Sequence, residues 1–217
     1  YATLPVRVHL ADDVLTEATR AEIEDPWLNV KVASRENVAT DIIGLSLESA
    51  NGTPLPAYEA GAHVDVYIRS GMIRQYSLTG DPADVSKYRL GILLDPKSRG
   101  GSAAIHTQFK QGQDIRVGKP RNNFPMQTGV AHSVLFAGGI GITPMLNMAY
   151  ALEAQGASWE LHYCGRTADR LAFKDELKRF GDKVQLHIDS GPKAQMLDVN
   201  AVLENPAADR HLYVCGP

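Results

Sequence analysis

The feature that most constrains this chain is a change of hydrophobic rhythm near its middle. Up to residue 123, apolar residues come in short β-rich runs separated by turn formers. Beyond it, continuous apolar runs alternate with stretches of helical spacing. Six candidate strands precede the change: Val30 to Ser34, Ile42 to Leu47, Val64 to Ile68, Arg74 to Leu78, Tyr88 to Leu94 and Asp114 to Val117. Asn51-Gly52, Pro54, Pro56, Gly61, Gly71, Asp81-Pro82 and Gly112 lie in the breaks. Strands this closely spaced predict a sandwich or a small Greek-key antiparallel barrel, interrupted by a helix from about Ala103 to Lys110.

After the change, Ser133 to Ala137 is the continuous apolar run expected of a strand buried on both faces. A helix from Thr143 to Gln155, a strand from Trp159 to Tyr163 and a helix from Ala172 to Phe180 follow. Val184 to Ile188, Asp198 to Leu203 and His211 to Val214 read as strand, short helix and strand. This alternation predicts βαβ units on a parallel sheet. The fold expected is therefore a β barrel plus an α/β domain: residues 29–127 form the first and 128–217 the second, with the boundary near Pro125 and Gly129. Residues 1–28 read as a tail or linker, with a short strand over Thr3 to Leu10 and a weakly helical stretch over Asp12 to Glu24. Trp27 reads as a linker anchor. The last strand ends two or three residues before Pro217, where a parallel-sheet domain would add a covering helix, so the second domain is expected to be truncated at its C-terminus.

Composition narrows the function classes. A net charge of −3 over 217 residues gives no basic field for nucleic acid or an anionic membrane. No apolar run approaches the roughly 18 residues of a membrane span. Cys164 and Cys215 are too few for a disulfide framework and lack metal-ligand spacing, and the seven histidines form no i, i+4 metal pair. The expectations are a cytoplasmic protein with no metal site, no nucleic-acid partner and no membrane partner.

Three segments carry chemistry. In Arg74-Gln75-Tyr76-Ser77-Leu78, a forked guanidinium matches phosphate oxygens and an aromatic face suits a flat heterocycle. A small hydroxyl beside them can hydrogen-bond without bulk. The same five residues would also serve as an ordinary edge strand. Ser98-Arg99-Gly100-Gly101-Ser102 runs into a helix, where glycines admit backbone amides to an anion and the helix N-terminus adds partial positive charge. A plain loop with Ser102 as N-cap fits it equally. Gly138-Gly139-Ile140-Gly141-Ile142-Thr143-Pro144-Met145 joins a buried strand to a helix, and Pro144 suits the first helical turn. It is not the Rossmann G-x-G-x-x-G. His106, on the helix after the glycine pair, reads as a packing or surface residue.

Together with Pro120-Arg121-Asn122-Asn123-Phe124, His162-Tyr163-Cys164-Gly165-Arg166 and Tyr213-Val214-Cys215-Gly216-Pro217, these segments resemble the ferredoxin–NADP reductase superfamily over residues 30–217. The likeness is greatest to its FMN-containing, phthalate dioxygenase reductase-like group. It implies that Arg74 pairs with flavin phosphate, Tyr76 lies against the isoalloxazine and Ser77 sits near the reactive ring nitrogen, with Gln75 and Leu78 in the same motif. It implies a phosphate loop of Ser98, Arg99, Gly100, Gly101 and Ser102, with Asn123 and Phe124 helping to hold the ring. Gly138, Gly139, Gly141, Ile142, Thr143 and Pro144 would carry the pyrophosphate of NADH or NADPH. Cys164 and Arg166 would meet the adenosine ribose, and Arg166 with Arg170 could fork a 2′-phosphate. Cys215 and Gly216 would lie beside the nicotinamide, so Ser77, Thr143 and Cys215 are the candidate catalytic residues.

The resemblance further implies FMN instead of FAD, because FAD-binding relatives usually lack the S-R-G-G-S loop. It implies hydride transfer from NAD(P)H to flavin, then single electrons to an iron–sulphur cluster in a C-terminal ferredoxin domain and on to a haem or Rieske-type oxygenase. The C-x₄-C-x₂-C run of that domain does not occur in this sequence. Leu4-Pro5-Val6-Arg7-Val8 looks like the closing strand of bacterial haem monooxygenases, some of them fused to such reductases, which would make residues 1–28 a fusion linker. Two other readings fit the same residues: a reductase passing electrons directly to free flavin, haem protein or oxygen, and a non-catalytic flavin-binding regulatory module.

Overall fold

The computed structural model describes residues 26–69, 71–204 and 209–217. The strand expected over 3–10 and the helix over 12–24 lie outside the described residues.

Among the described residues the strands fall in two sheets. The first contains β1 (Trp27–Ala39), β2 (Ile42–Ser49), β3 (His63–Arg69), β4 (Met72–Ser77), β5 (Lys87–Leu93) and β6 (Asp114–Gly118). Their order is β4-β3-β6-β1-β2-β5, with every pairing antiparallel. A bridge between Leu78 and Leu90 draws the two outer ends together and rolls the sheet into a barrel. Period-2 patterning explains the interior: Val30 and Val32, Leu45 and Leu47, Val64 and Val66, Leu90 and Ile92, and Ile115 and Val117 all point inward and are buried. Each such side chain contributes about 1.5–3 kcal/mol by leaving water. The helix α1 (Gly101–Gln108) closes one end through buried Ile105. His106 packs there, its Nε2 2.9 Å from the Ile92 carbonyl.

The barrel begins earlier than expected. Trp27 and Leu28 pair with Gly118 and Val117, so they are barrel residues and not linker. The Trp27 ring stands edge-on to Tyr67 at 5.6 Å, and the Arg116 guanidinium covers Tyr67 at 4.3 Å. A single aromatic in a charged stretch gave no strand periodicity to read.

The second sheet is parallel, ordered β10-β7-β8-β9 from β7 (His132–Gly138), β8 (Trp159–Gly165), β9 (Val184–Ile188) and β10 (Arg210–Cys215). The helix α2 (Ile142–Ala154) lies between this sheet and the barrel, and every residue from Ile142 to Tyr150 is buried. A helix buried all round has a partner on each face. Asn147, fully buried, provides the polar tie: its Nδ2 donates to the Gly80 carbonyl and its Oδ1 accepts from Gly61 N–H at 2.9 Å. Ile42 and Ala60 of the barrel sit within the α/β core, which therefore extends onto the barrel's surface, while the barrel interior forms a separate core.

The helix expected over 172–180 is broken. Phe173 is left-handed at φ 59°, followed by the one-turn α3 (Lys174–Leu177) and a 3₁₀ stretch over Lys178–Lys183. Tertiary anchoring overrides propensity here. Leu171, Ala172 and Phe173 are buried, Ala172 N–H donates to the Tyr163 hydroxyl at 2.9 Å, and the Phe173 ring lies under Arg89. The last helix, α4 (Val199–Leu203), starts where expected, capped by Asp198 accepting from Ala201 N–H at 3.1 Å. Among the described residues no helix is long and apolar enough to cross a membrane.

Candidate flavin and nicotinamide site

A cleft of about 740 Å³ opens between the barrel and the parallel sheet. Four segments far apart in sequence line it: Arg74 to Ser77 at the end of β4, the loop before α1, the β7–α2 loop and the end of β10.

Strand alternation turns Arg74 and Tyr76 to the same side of β4. The Arg74 side chain lies across the start of α1: a Cβ on Gly101 would fall 2.8 Å from its Nε and 2.9 Å from its Cγ. Glycine leaves the Arg74 side chain room beside the first helical turn, and a larger residue would make it shift. Gly100 precedes it in left-handed geometry at φ 90°, and no side chain caps the helix. Ser102 is therefore not the N-cap; its hydroxyl accepts from Asp95 N–H at 3.2 Å, holding the loop against the helix. Helix-start amides lack intrahelical partners. Arg74, Ser98, Arg99 and Ser102 line the cleft there as a donor-rich cradle for a phosphate, Arg74 Nη1 also donating to the Ile73 carbonyl at 2.8 Å, with Tyr76 beside it as an aromatic wall. Burial pushes the Tyr76 phenol up to about 12 against the opposing pull of Arg74, so it stays a neutral hydrogen-bond donor. These features fit a phosphate-bearing flavin.

The opposite wall comes from the parallel sheet. A Cβ on Gly141 would meet the Cys215 carbonyl oxygen at 2.1 Å, and one on Gly138 would meet Pro217 at 3.3 Å. These glycines let the β7–α2 loop close onto the end of β10, which brings Cys215, Gly216 and Pro217 to the cleft. Gly139, at φ 52° with open space around it, is the glycine left facing outward. Thr143 is 6% exposed and its hydroxyl donates to the Ile140 carbonyl at 3.0 Å, so it fixes the loop while facing the cleft. Burial raises the Cys215 thiol above its ordinary value, which keeps it protonated and a poor nucleophile near neutral pH.

A second pocket of about 410 Å³ continues past Gly138 and Gly139 to Cys164, Arg166 and Arg170 at the end of β8. Thr40 and Ile42 of the barrel and Asp189 after β9 complete it. Burial, aided by the Asp189 carboxylate, raises the Cys164 thiol. Arg170 is already engaged: its Nη2 donates to Asp41 Oδ2 at 2.9 Å. The two-arginine fork expected for a 2′-phosphate is therefore not assembled. Arg166 is the exposed cation of the pair without an ion-pair partner among the described residues.

The structure gathers Arg74, Gln75, Tyr76, Ser77, Ser98, Arg99, Ser102, Gly139, Gly141, Thr143, Cys215 and Gly216 in one cleft. Gly138, Cys164, Arg166 and Arg170 line the adjoining pocket. Leu78 and Ile142 are fully buried core residues, and Pro144 is buried in α2. Asn123 and Phe124 fall outside the cleft: the Phe124 ring packs 6.1 Å from Tyr213, and its carbonyl seats against Gly61. Sequence reasoning missed Gly91 and Leu93. Gly91 had a readable signal, since an isolated glycine in a strand marks close approach; a Cβ there would meet Thr143 Cγ2 at 2.8 Å.

The comparisons agree with this architecture. No protein-family model matches the chain. The vanillate O-demethylase oxidoreductase of a Pseudomonas species is 50% identical over 192 residues, 88% of this chain and 61% of that protein. The structure of phthalate dioxygenase reductase, described as a modular structure for electron transfer from pyridine nucleotides to [2Fe-2S], superposes with a TM-score of 0.85. It is 38% identical, covering 89% of this chain and 61% of that one. An intact type IV self-sufficient cytochrome P450 monooxygenase gives a TM-score of 0.83 at 34% identity, covering 100% of this chain and 27% of the other. The fold and cleft are shared with reductases of oxygenase systems. Vanillate O-demethylase oxidoreductases and phthalate dioxygenase reductase, of the ferredoxin–NADP reductase superfamily, are homologues of this chain. The chain spans about 60% of the length of the vanillate O-demethylase oxidoreductases it matches.

Proposed function

We propose that this chain is the flavin- and nicotinamide-binding part of an NAD(P)H-dependent oxygenase reductase, with residues 27–127 as the flavin domain and 128–217 as the nucleotide domain. The observation that carries the proposal is the single cleft in which the Arg74–Gly101 cradle faces the Gly139–Thr143 loop and Cys215. Arg74, Ser98, Arg99, Ser102 and the first amides of α1 would hold the phosphate of FMN, with Tyr76 against its ring. When bound, the flavin supplies the conversion of a two-electron donor into one-electron output. Gly139, Gly141 and Thr143 would position the pyrophosphate, and the second pocket would receive the adenosine ribose. Ser77 presents a hydroxyl to orient a ring heteroatom, and Cys215 limits the approach of the nicotinamide by its bulk and not by covalent chemistry. The protein contributes distance, orientation and exclusion of water. The onward partners are an iron–sulphur ferredoxin domain and a haem or Rieske-type oxygenase. Both NADH and NADPH serve as donors. Two free thiols fit a reducing, cytoplasmic setting.

Heat release and chromatography of the flavin test the reading: FMN at one per chain is expected, and stoichiometric FAD would overturn the FMN assignment. Arg74→Ala should weaken FMN binding by about 1.5–3 kcal/mol, the size of a charge-assisted contact. An unchanged dissociation constant would remove Arg74 from the phosphate site.

A haem-monooxygenase fusion is favoured by one observation: the self-sufficient P450 match spans 100% of the chain, whereas phthalate dioxygenase reductase spans 89%. The mass of the native polypeptide decides it. A species large enough to add a haem domain before residue 1 is expected, and a protein the length of phthalate dioxygenase reductase would exclude fusion.

A further inference from the structure

The pocket at the end of β8 is not made by the nucleotide domain alone. Its wall includes Thr40 and Ile42, which flank the β1–β2 turn of the barrel. At that turn Asp41 is left-handed, φ 62°, and its carbonyl accepts from Leu94 N–H at 2.7 Å, so its position is fixed from two sides. Thr40 N–H donates to the Asp169 carbonyl at 2.9 Å, and the Thr40 hydroxyl donates to Asp169 Oδ2 at 2.5 Å. Asp41 then takes the Arg170 guanidinium at 2.9 Å. Asp169 and Arg170 belong to the loop after Arg166, so a barrel turn holds the loop that would read the adenosine ribose.

The charges in the neighbourhood decide what that ribose can carry. Arg166, Arg170 and Asp189 line the pocket, and Asp41 and Asp169 stand behind its rim. With Arg170 neutralised by Asp41 and Asp169 bonded to Thr40, the pocket offers one uncommitted cation against the Asp189 carboxylate. A dianionic 2′-phosphate needs more than that, whereas a ribose diol needs no cation. We propose that Asp41 of the flavin barrel sets nucleotide choice: by sequestering Arg170 it withholds the second cation from a 2′-phosphate and favours NADH over NADPH. This rests on the reading of the second pocket as the adenosine-ribose site. The specificity element lies in the other domain, 129 residues from the arginine it controls.

Asn is the substitution of choice at residue 41, because it tolerates left-handed geometry as Asp does and removes only the charge. The test is calorimetric titration of the wild type, Asp41→Asn and Asp41→Asn/Arg170→Ala with 5′-AMP and 2′,5′-ADP, the adenosine halves of the two donors. Asp41→Asn should tighten 2′,5′-ADP by about three- to fivefold, the upper range of an exposed pair, while 5′-AMP changes by less than about 1.5-fold. The double variant should lose the gain. If 5′-AMP binds normally and Asp41→Asn alters neither ligand, or both equally, Asp41 is not the determinant. If neither ligand binds any variant while all three melt cooperatively, the ribose-site reading falls and takes the proposal with it.

Discussion

The barrel and the α/β domain are joined by two arginine–carboxylate pairs of the same chemistry in opposite surroundings. Arg89 of β5 meets Glu176 of α3 through two parallel bonds of 2.5 and 2.6 Å, with side chains 25% and 18% exposed. The Tyr150 hydroxyl also donates to this carboxylate, and Phe173 lies under the guanidinium. Arg170 meets Asp41 through one 2.9 Å bond, with both side chains 42% exposed. The bidentate, half-buried pair fixes the angle between the domains, because moving it would strand two charges away from water. The open pair can be broken cheaply, and only such a pair is free to respond to a ligand. Stability and specificity are thereby separated along one interface.

Removing the buried anchor should give the largest effect. Arg89→Ala leaves the Glu176 carboxylate half-buried with Tyr150 as its donor. A loss of about 2–4 kcal/mol is expected, below the cost for a fully buried pair because some solvent reaches this one. Urea unfolding measures it, with a lower midpoint at unchanged slope. Arg89→Met with Glu176→Leu should recover most of the loss, since an apolar pair of similar size suffers no desolvation. A midpoint equal to the wild type for Arg89→Ala would break the contrast.

Neither pair was legible in the sequence, and the reason is physical. Arg89 and Glu176 are 87 residues apart, Asp41 and Arg170 129 apart, and neither partner carries a local signal. What was legible depends on short-range rules. Period-2 burial gave the barrel strands, the continuous run at Ser133–Ala137 gave a central parallel strand, and glycine next to a strand end marked the two loops of the cleft. The glycines of the β7–α2 loop were noticed for a pyrophosphate, but a second requirement was not legible: Gly141 closes on the Cys215 carbonyl, a contact 74 residues away. Phe173 defeated helix periodicity because its ring is needed under Arg89, and Asn147 looked like any polar helix residue although it bonds two barrel loops at once. Asn123 and Phe124 followed a motif whose backbone serves the domain junction here.

A middle-sized effect should come from pH, and it separates the anchors from the sheet. His162 is 2% exposed, stacked between Phe136 at 5.4 Å and His187 at 5.3 Å, with Nδ1 3.1 Å from His187 Nε2. Burial lowers the His162 pKa although Glu160 opposes it, and burial with His162 beside it lowers that of His187. The unfolded chain therefore binds protons below about pH 6.5 that the native state refuses. The stabilisation is complete above that pH and is lost as pH falls through the depressed native values. Melting temperature should drop between about pH 6.5 and 5, less steeply in His162→Phe, and with the same slope in Arg89→Ala and Arg170→Ala. A slope altered by Arg89→Ala would mean that the interface, not the histidine stack, carries the acid sensitivity.

The smallest effect belongs to the open pair. Arg170→Ala removes one monodentate contact between side chains that are each 42% exposed, and such pairs contribute about 0–1 kcal/mol. The Thr40 hydrogen bonds to Asp169 survive the change and continue to hold the loop. Solvent screens what attraction there is, over about 8 Å at physiological salt and about 3 Å at 1 M. Unfolding midpoints of Arg170→Ala and wild type should therefore differ by less than about 1 kcal/mol at low salt and coincide at 1 M, whereas the deficit of Arg89→Ala persists in both. A salt-independent loss in Arg170→Ala as large as that of Arg89→Ala would make the Asp41 junction a structural support. The barrel turn would then be too costly to move for nucleotide choice to depend on it.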